Sequence, residues 1–122
     1  MSKCYNIGPV NGKSSTANPW VGGIAGIASS VDYCCNIGNI IYEGTNKTFV
    51  GTLLGYTEGT LSNSYALTNA QLNGIGKNWS STPEPTKVNT VAEMPTVLEI
   101  VGNGFKADTN NINNGYPILS WQ

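Results

Sequence analysis

The sequence predicts an all-β fold, a short right-handed parallel β-helix (β-solenoid) of about 2.5 thirty-residue coils with a C-terminal cap, and three observations carry that expectation. Segments recur at a fixed spacing, they have strand character, and stacking them in register sets like on like. Cys4-Tyr5-Asn6-Ile7-Gly8 returns thirty residues later as Cys34-Cys35-Asn36-Ile37-Gly38, and more faintly as Ser64-Tyr65-Ala66-Leu67-Thr68. Trp20-Val21-Gly22-Gly23-Ile24-Ala25-Gly26-Ile27 returns as Phe49-Val50-Gly51-Thr52-Leu53-Leu54-Gly55-Tyr56, displaced by twenty-nine.

Each copy holds two apolar stretches bounded by Gly, Asn, Ser and Thr. The first covers 31–40, matching 1–10 and 61–70; the second covers 49–56, matching 20–27. Glycines at 22, 23, 26, 51 and 55 would each penalise a helix interior by about 1 kcal/mol relative to Ala. Stacked strands put Ile7, Ile37 and Leu67 in one apolar column, Val21 and Val50 in a second, and Ile24 and Leu53 in a third, all expected inside. The column of Lys3, Tyr33 and Asn63 is too polar to bury, so the adjacent Cys4, Cys34 and Ser64 are expected to point inward. Keeping Ile7 inside as well requires a bend near Asn6 and Asn36. Asn tolerates the left-handed conformation of such corners, and Gly8 and Gly38 follow directly. Cys35 shares an outward column with Tyr5 and Tyr65 and is the thiol expected to meet a reagent first.

The repeat fades after Gly76, which divides one structural domain into β-solenoid repeats at 1–76 and a connection with C-terminal cap at 77–122. Residues 77–89 include Ser80-Ser81-Thr82-Pro83-Glu84-Pro85 and read as an irregular connection, since proline is barred from central strands. One short helix is expected over 92–101, with Pro95 in its first turn, Val97, Leu98 and Val101 on its apolar face and Gly102 as its stop. Two short strands, 105–108 and 116–121, follow around a turn at 109–115. An open solenoid end exposes unpaired backbone and an apolar cross-section, so this tail is expected to close it.

Composition narrows the function classes. At 122 residues the chain is one domain, large enough to bury about two-thirds of its unfolded surface without metal or disulfide support. Charged residues are 11% of the chain and the net charge is −1, so no nucleic-acid partner and no anionic membrane is indicated. The chain has no His and no Arg, which removes the usual general base, the commonest metal ligand and the bidentate clamp for carboxylate or phosphate. Cys4, Cys34 and Cys35 cannot all pair within one chain and read as thiols. Without the Cys-x-x-Cys spacing or a basic neighbour, Cys34-Cys35 reads as structural, not as a redox pair. No run of eighteen apolar residues is present, so no membrane insertion is expected, and no signal-peptide segment precedes the repeat. The opening in mid-repeat reads as the start of a piece of something longer, whose export signal would lie elsewhere.

The recurring segments resemble the GLUG-type repeats of large bacterial surface and secreted proteins, including some related to IgA-cleaving peptidases. Val21-Gly22-Gly23-Ile24-Ala25-Gly26, Val50-Gly51-Thr52-Leu53-Leu54-Gly55, Cys4-Tyr5-Asn6-Ile7-Gly8 and Cys34-Cys35-Asn36-Ile37-Gly38 carry the resemblance. Thr52 replaces the second glycine, Cys35 a tyrosine, and the third copy lacks its asparagine. The resemblance implies an extracellular or cell-surface, non-catalytic architectural module, and it transfers no functional residue.

Candidate sites are few. The run Asp108-Thr109-Asn110-Asn111-Ile112-Asn113-Asn114-Gly115 invites a calcium reading, but Ile112 stands where an EF-hand loop needs an oxygen and no bidentate Glu follows, so a plain turn is preferred and no metal or cofactor is assigned. Polysaccharide-cleaving β-helices use clustered carboxylates or a base beside calcium; the acids here are scattered, and no catalytic residue is assigned. Tyr5, Tyr33, Tyr65, Trp20 and Phe49 are the candidate ligand-contact aromatics, able to stack on sugar rings or to pack as cross-strand ladders and edge covers. The leading reading is a non-catalytic structural or adhesive module attached to the rest of a larger parent protein. The alternatives are a carbohydrate- or host-glycan-binding module, or an accessory region of a large extracellular peptidase. Host protein or glycan is the candidate external partner, and self-association is expected through the unpaired N-terminal solenoid edge.

Overall fold

The computed structural model describes residues 1–15, 17–89, 93 and 104–122, which form fifteen short strands and no α-helix. A first pass of chain carries β1 (Tyr5–Asn6), β2 (Val10–Lys13), β3 (Val21–Gly22) and β4 (Ala25–Ile27). A second carries β5 (Ser30–Asp32), β6 (Cys35–Asn36), β7 (Ile40–Glu43), β8 (Val50–Gly51) and β9 (Leu54–Thr57). A third carries β10 (Thr60–Ser62), β11 (Tyr65–Leu67) and β12 (Ile75–Asn78), and β13 (Thr86–Val88) opens a fourth. The chain ends with β14 (Phe105–Lys106) and β15 (Ile118–Leu119). The helix expected over 92–101 falls, apart from Glu93, outside the described residues.

Each strand of one pass pairs in parallel with its counterpart in the next. The sheets run β1-β6-β11-β13, β4-β9-β12, β5-β10, β2-β7 and β3-β8, and only β14-β15 is antiparallel among the described residues. Register follows the repeat: Tyr5 opposes Cys35, which opposes Tyr65, while Val21 opposes Val50 and Ala25 opposes Leu54. Pairing continues where the repeat fades, with Ile75 opposite Leu54 and Thr86 opposite Tyr65. The spacing there is twenty-one residues, because Leu67 to Ile75 takes eight residues where Ile37 to Leu54 takes seventeen. The missing nine correspond to the arm built on β7, whose only strand partner among the described residues is β2. So 77–89 is not wholly irregular: it finishes β12 and contains β13, with Pro83 and Pro85 between them.

The interior contains Val31, Cys34, Leu53, Leu54, Leu61, Ala66 and Ile75, with Cys4, Ile24, Ala25 and Ala28 packed against them at the first-pass side. Cys4 and Cys34 thus point inward as expected. Beside this apolar cluster Asn36 is completely buried and completely satisfied. Its Nδ2 donates to the carbonyls of Gly38 (2.9 Å) and Thr52 (2.7 Å), and its Oδ1 accepts from Gly38 N (3.0 Å) and Asn6 Nδ2 (2.9 Å). Burying an amide without these partners would cost about 1–3 kcal/mol for each group left unpaired. The same amide explains a glycine: a Cβ on Gly23 would lie 2.1 Å from Asn36 Nδ2. One pass on, Ala66 takes the place of Asn36 and Thr52 takes the place of Gly23, so the two departures from the repeat go together.

Two expectations need correction. Within the repeats the left-handed residues are Lys3, Tyr33 and Asn63 (φ 53°, 51° and 45°), not Asn6 and Asn36. Asn6 and Asn36 remain in strands because each side chain bonds to the glycine two residues ahead, Gly8 N–H at 3.1 Å and Gly38 N–H at 3.0 Å, while donating to that glycine's carbonyl. With no bend there, strand alternation sends Ile7, Ile37 and Leu67 outward with Tyr5, Cys35 and Tyr65. Ile7 is 52% exposed, and Ile37 and Leu67 are half-buried.

The C-terminal strands cover this outward side. Phe105, Tyr116 and Leu119 pack against Cys35, Tyr65 and Val88, and Tyr5, Tyr33 and Ile37 join the same cluster. The described part of the cap therefore lies along a sheet face that spans several passes.

Candidate functional site

Trp20, Phe49, Tyr56 and Trp79 collect around β4, β9 and β12, where Ile27, Tyr56 and Lys77 share one register row. The chain doubles back just before each strand of the first two passes. A Cβ on Gly26 would lie 2.7 Å from the Trp20 carbonyl oxygen, and one on Gly55 would lie 2.8 Å from that of Phe49. Only glycine allows so close an approach of backbone to backbone. It brings Trp20 and Phe49 alongside the row that holds Ile27 and Tyr56. The third pass adds Trp79, whose N–H bonds to the Thr57 carbonyl at 2.9 Å.

Together Trp20, Ile27, Phe49, Tyr56, Glu58 and Trp79 line an open groove of about 550 Å³. Phe49 and Tyr56 sit with ring centroids 5.9 Å apart at 51°, a tilted pair that fixes one wall. Trp20 is 52% exposed and Trp79 68%. Lys77 Nζ lies 5.1 Å from the centre of the Trp79 ring, within cation–π range. At the rim the Tyr56 hydroxyl donates to the Glu58 carboxylate, and that bond holds the Tyr56 hydroxyl above its ordinary pKa. The groove thus combines apolar ring surface with one carboxylate and one phenol, and the Lys77 ammonium lies beside one of its rings.

Of the aromatics singled out from sequence, Trp20 and Phe49 line this groove. The other three lie elsewhere: Tyr65 is completely buried, and Tyr5 and Tyr33 pack into the cluster beneath the C-terminal strands. Tyr65 thus presents no ring face to a ligand, and its buried hydroxyl makes no regular hydrogen bond and meets the Cys35 thiol. Cys35, expected to react first, is 1% exposed, and burial pushes its thiol up to about 12; burial pushes Cys34 up to about 11. Cys4 is the half-exposed thiol.

Sequence reasoning missed Ile27, Tyr56, Glu58 and Trp79. Ile27 and Tyr56 close the segment repeated at twenty-nine, so the alignment already paired them. Trp79 has no counterpart at thirty because the third pass is nine residues short.

The Asp108 turn resolves as a carboxylate-centred loop. Asp108 Oδ1 accepts from Ile112 N (2.7 Å) and Oδ2 from Asn113 N (2.7 Å) and Gly115 N (3.0 Å). Desolvation favours the neutral acid, but these three donors outweigh it and leave the carboxyl below its ordinary pKa. Compared with family models, curated proteins and solved structures, the chain matches none of them.

Proposed function

We propose that the chain is part of a right-handed parallel β-solenoid of GLUG-type repeats, acting as a non-catalytic structural or adhesive module at a bacterial cell surface or in a secreted protein. The observation that carries this reading is the parallel register at spacings of thirty and twenty-nine residues, which coincides with the sequence repeat. A fold whose units bury their apolar sides only against the next unit is suited to making length and surface, and is stable only as an array. The first pass supports a neighbour on its outer side: Val21 and Ile24 are half-buried where their second-pass counterparts Val50 and Leu53 are buried. In the parent protein a preceding repeat would cover that edge, and in isolation a second copy would.

The test is antibody labelling of intact and lysed cells that produce the parent protein, together with light scattering of the isolated chain. Labelling of intact cells and concentration-dependent self-association are expected. Labelling only after lysis overturns the surface reading, and a monomer at high concentration overturns the edge contact. Turnover of a peptide or glycan by the isolated chain overturns the non-catalytic assignment.

A further inference from the structure

We infer that the groove formed by Trp20, Ile27, Phe49, Tyr56, Glu58 and Trp79 binds a neutral, equatorially linked pyranose glycan. This goes beyond the module's architectural role and rests on it only in needing the parallel rows that bring these side chains together. Three observations argue for it. The groove's volume of about 550 Å³ falls inside the range of roughly 300–1,000 Å³ usual for small-ligand sites. Trp20, Ile27 and Trp79 stay at least half exposed there, whereas the cluster around Tyr65 is covered by the chain's own C-terminal strands. The polar groups of the lining stand where a polyol would meet them, the Glu58 carboxylate as acceptor and the Tyr56 hydroxyl bonded to it.

A pyranose with equatorial substituents offers C–H faces to the rings and a rim of hydroxyls to the carboxylate and phenol. Hydrogen bonds to charged groups are the stronger ones, and aromatic rings supply the apolar contact. A lipid chain would leave Glu58 unanswered. The charged side chain that lines the groove, Glu58, is an acid, which favours a neutral sugar over a uronate.

The experiment is a tryptophan-fluorescence titration with the hexasaccharides of β-1,4-linked glucose, β-1,4-linked N-acetylglucosamine and galacturonate. Saturable binding of at least one neutral probe is expected, weakened about tenfold by Trp79→Ala, equivalent to roughly 1.4 kcal/mol, and several-fold by Glu58→Gln. Trp121→Ala, which alters a residue outside the groove, should bind as the wild type does. Far-UV circular dichroism of each variant reports folding, so failure of the groove is distinguishable from failure of the β architecture. The inference is overturned by absence of binding to both neutral probes at millimolar concentration. Binding of galacturonate alone, or binding unchanged by both groove variants, also overturns it. A dimer of the wild type that Trp79→Ala dissociates would assign the groove to a second copy instead.

Discussion

The sheets β1-β6-β11-β13 and β4-β9-β12 both carry aromatic side chains outside the apolar cluster of Leu53 and Leu54, yet Tyr65 is completely buried while Trp79 is 68% exposed. Both rows arise in the same way, from residues brought into register by successive passes. The difference comes from the C-terminal strands, which reach the first sheet with Phe105, Tyr116 and Leu119 and line no part of the groove on the second. An outward aromatic column is therefore not a ligand site in itself; what decides is whether another part of the chain covers it.

The contrast is broken most severely at the cover. Phe105 is buried against Cys35, Tyr65 and Val88, so Phe105→Ala should cost about 3 kcal/mol in denaturant unfolding. It should also expose Cys35, seen as a second thiol that reacts with a disulfide reagent in the folded protein alongside Cys4. A variant as stable as the wild type, with Cys35 still protected, would show that the cover does not hold that face.

The covered and buried thiols also set a pH limit. Their pKa values are raised by folding from 9.0 to about 11 for Cys34 and about 12 for Cys35. The folded state thus keeps protons that the unfolded state loses. The stabilisation is complete below pH 9 and is lost as pH rises toward 11 and 12, at an order of 1 kcal/mol per pH unit for each thiol. Urea midpoints measured from pH 8 to pH 10.5 should fall, and Cys35→Ser should flatten the slope. A midpoint independent of pH over that range would contradict the burial.

A milder probe of the covered face is Tyr65→Phe, which removes a buried hydroxyl that makes no regular hydrogen bond and meets only a weakly bonding thiol, that of Cys35. It should raise stability by up to about 1 kcal/mol, since an unpaired buried polar group is a net cost. A loss of stability would mean that the hydroxyl is bonded. The smallest effect belongs to the open face, where Trp79→Ala should change unfolding stability by less than about 0.5 kcal/mol. A larger loss would show that this ring supports the fold as well as the groove.

Much of this architecture was legible in the chain. The returns of Cys4-Tyr5-Asn6 at thirty and Trp20-Val21-Gly22 at twenty-nine predicted both the parallel pairing and its register. The inward Cys34 and Leu53 followed from the same columns. The left-handed position was misread because Asn6 and Asn36 have the residue type that favours it, while Lys3 and Tyr33 do not. Their side-chain amides instead bond the neighbouring glycines, and Lys3, Tyr33 and Asn63 turn the chain between one strand pair and the next. Two of the six groove residues were legible, Trp20 and Phe49. Trp79 was not, because shortening the third pass by nine residues removed the period that would have pointed to it.

The sequence by itself determined which residues lie beside which from one pass to the next, because a repeat encodes contacts between neighbours and each copy carries the same instruction. Only the tertiary structure decided which outward row is closed and which stays open. That depends on where a non-repeating C-terminal segment packs, a contact between residues as far apart as Cys35 and Phe105 that no local spacing records.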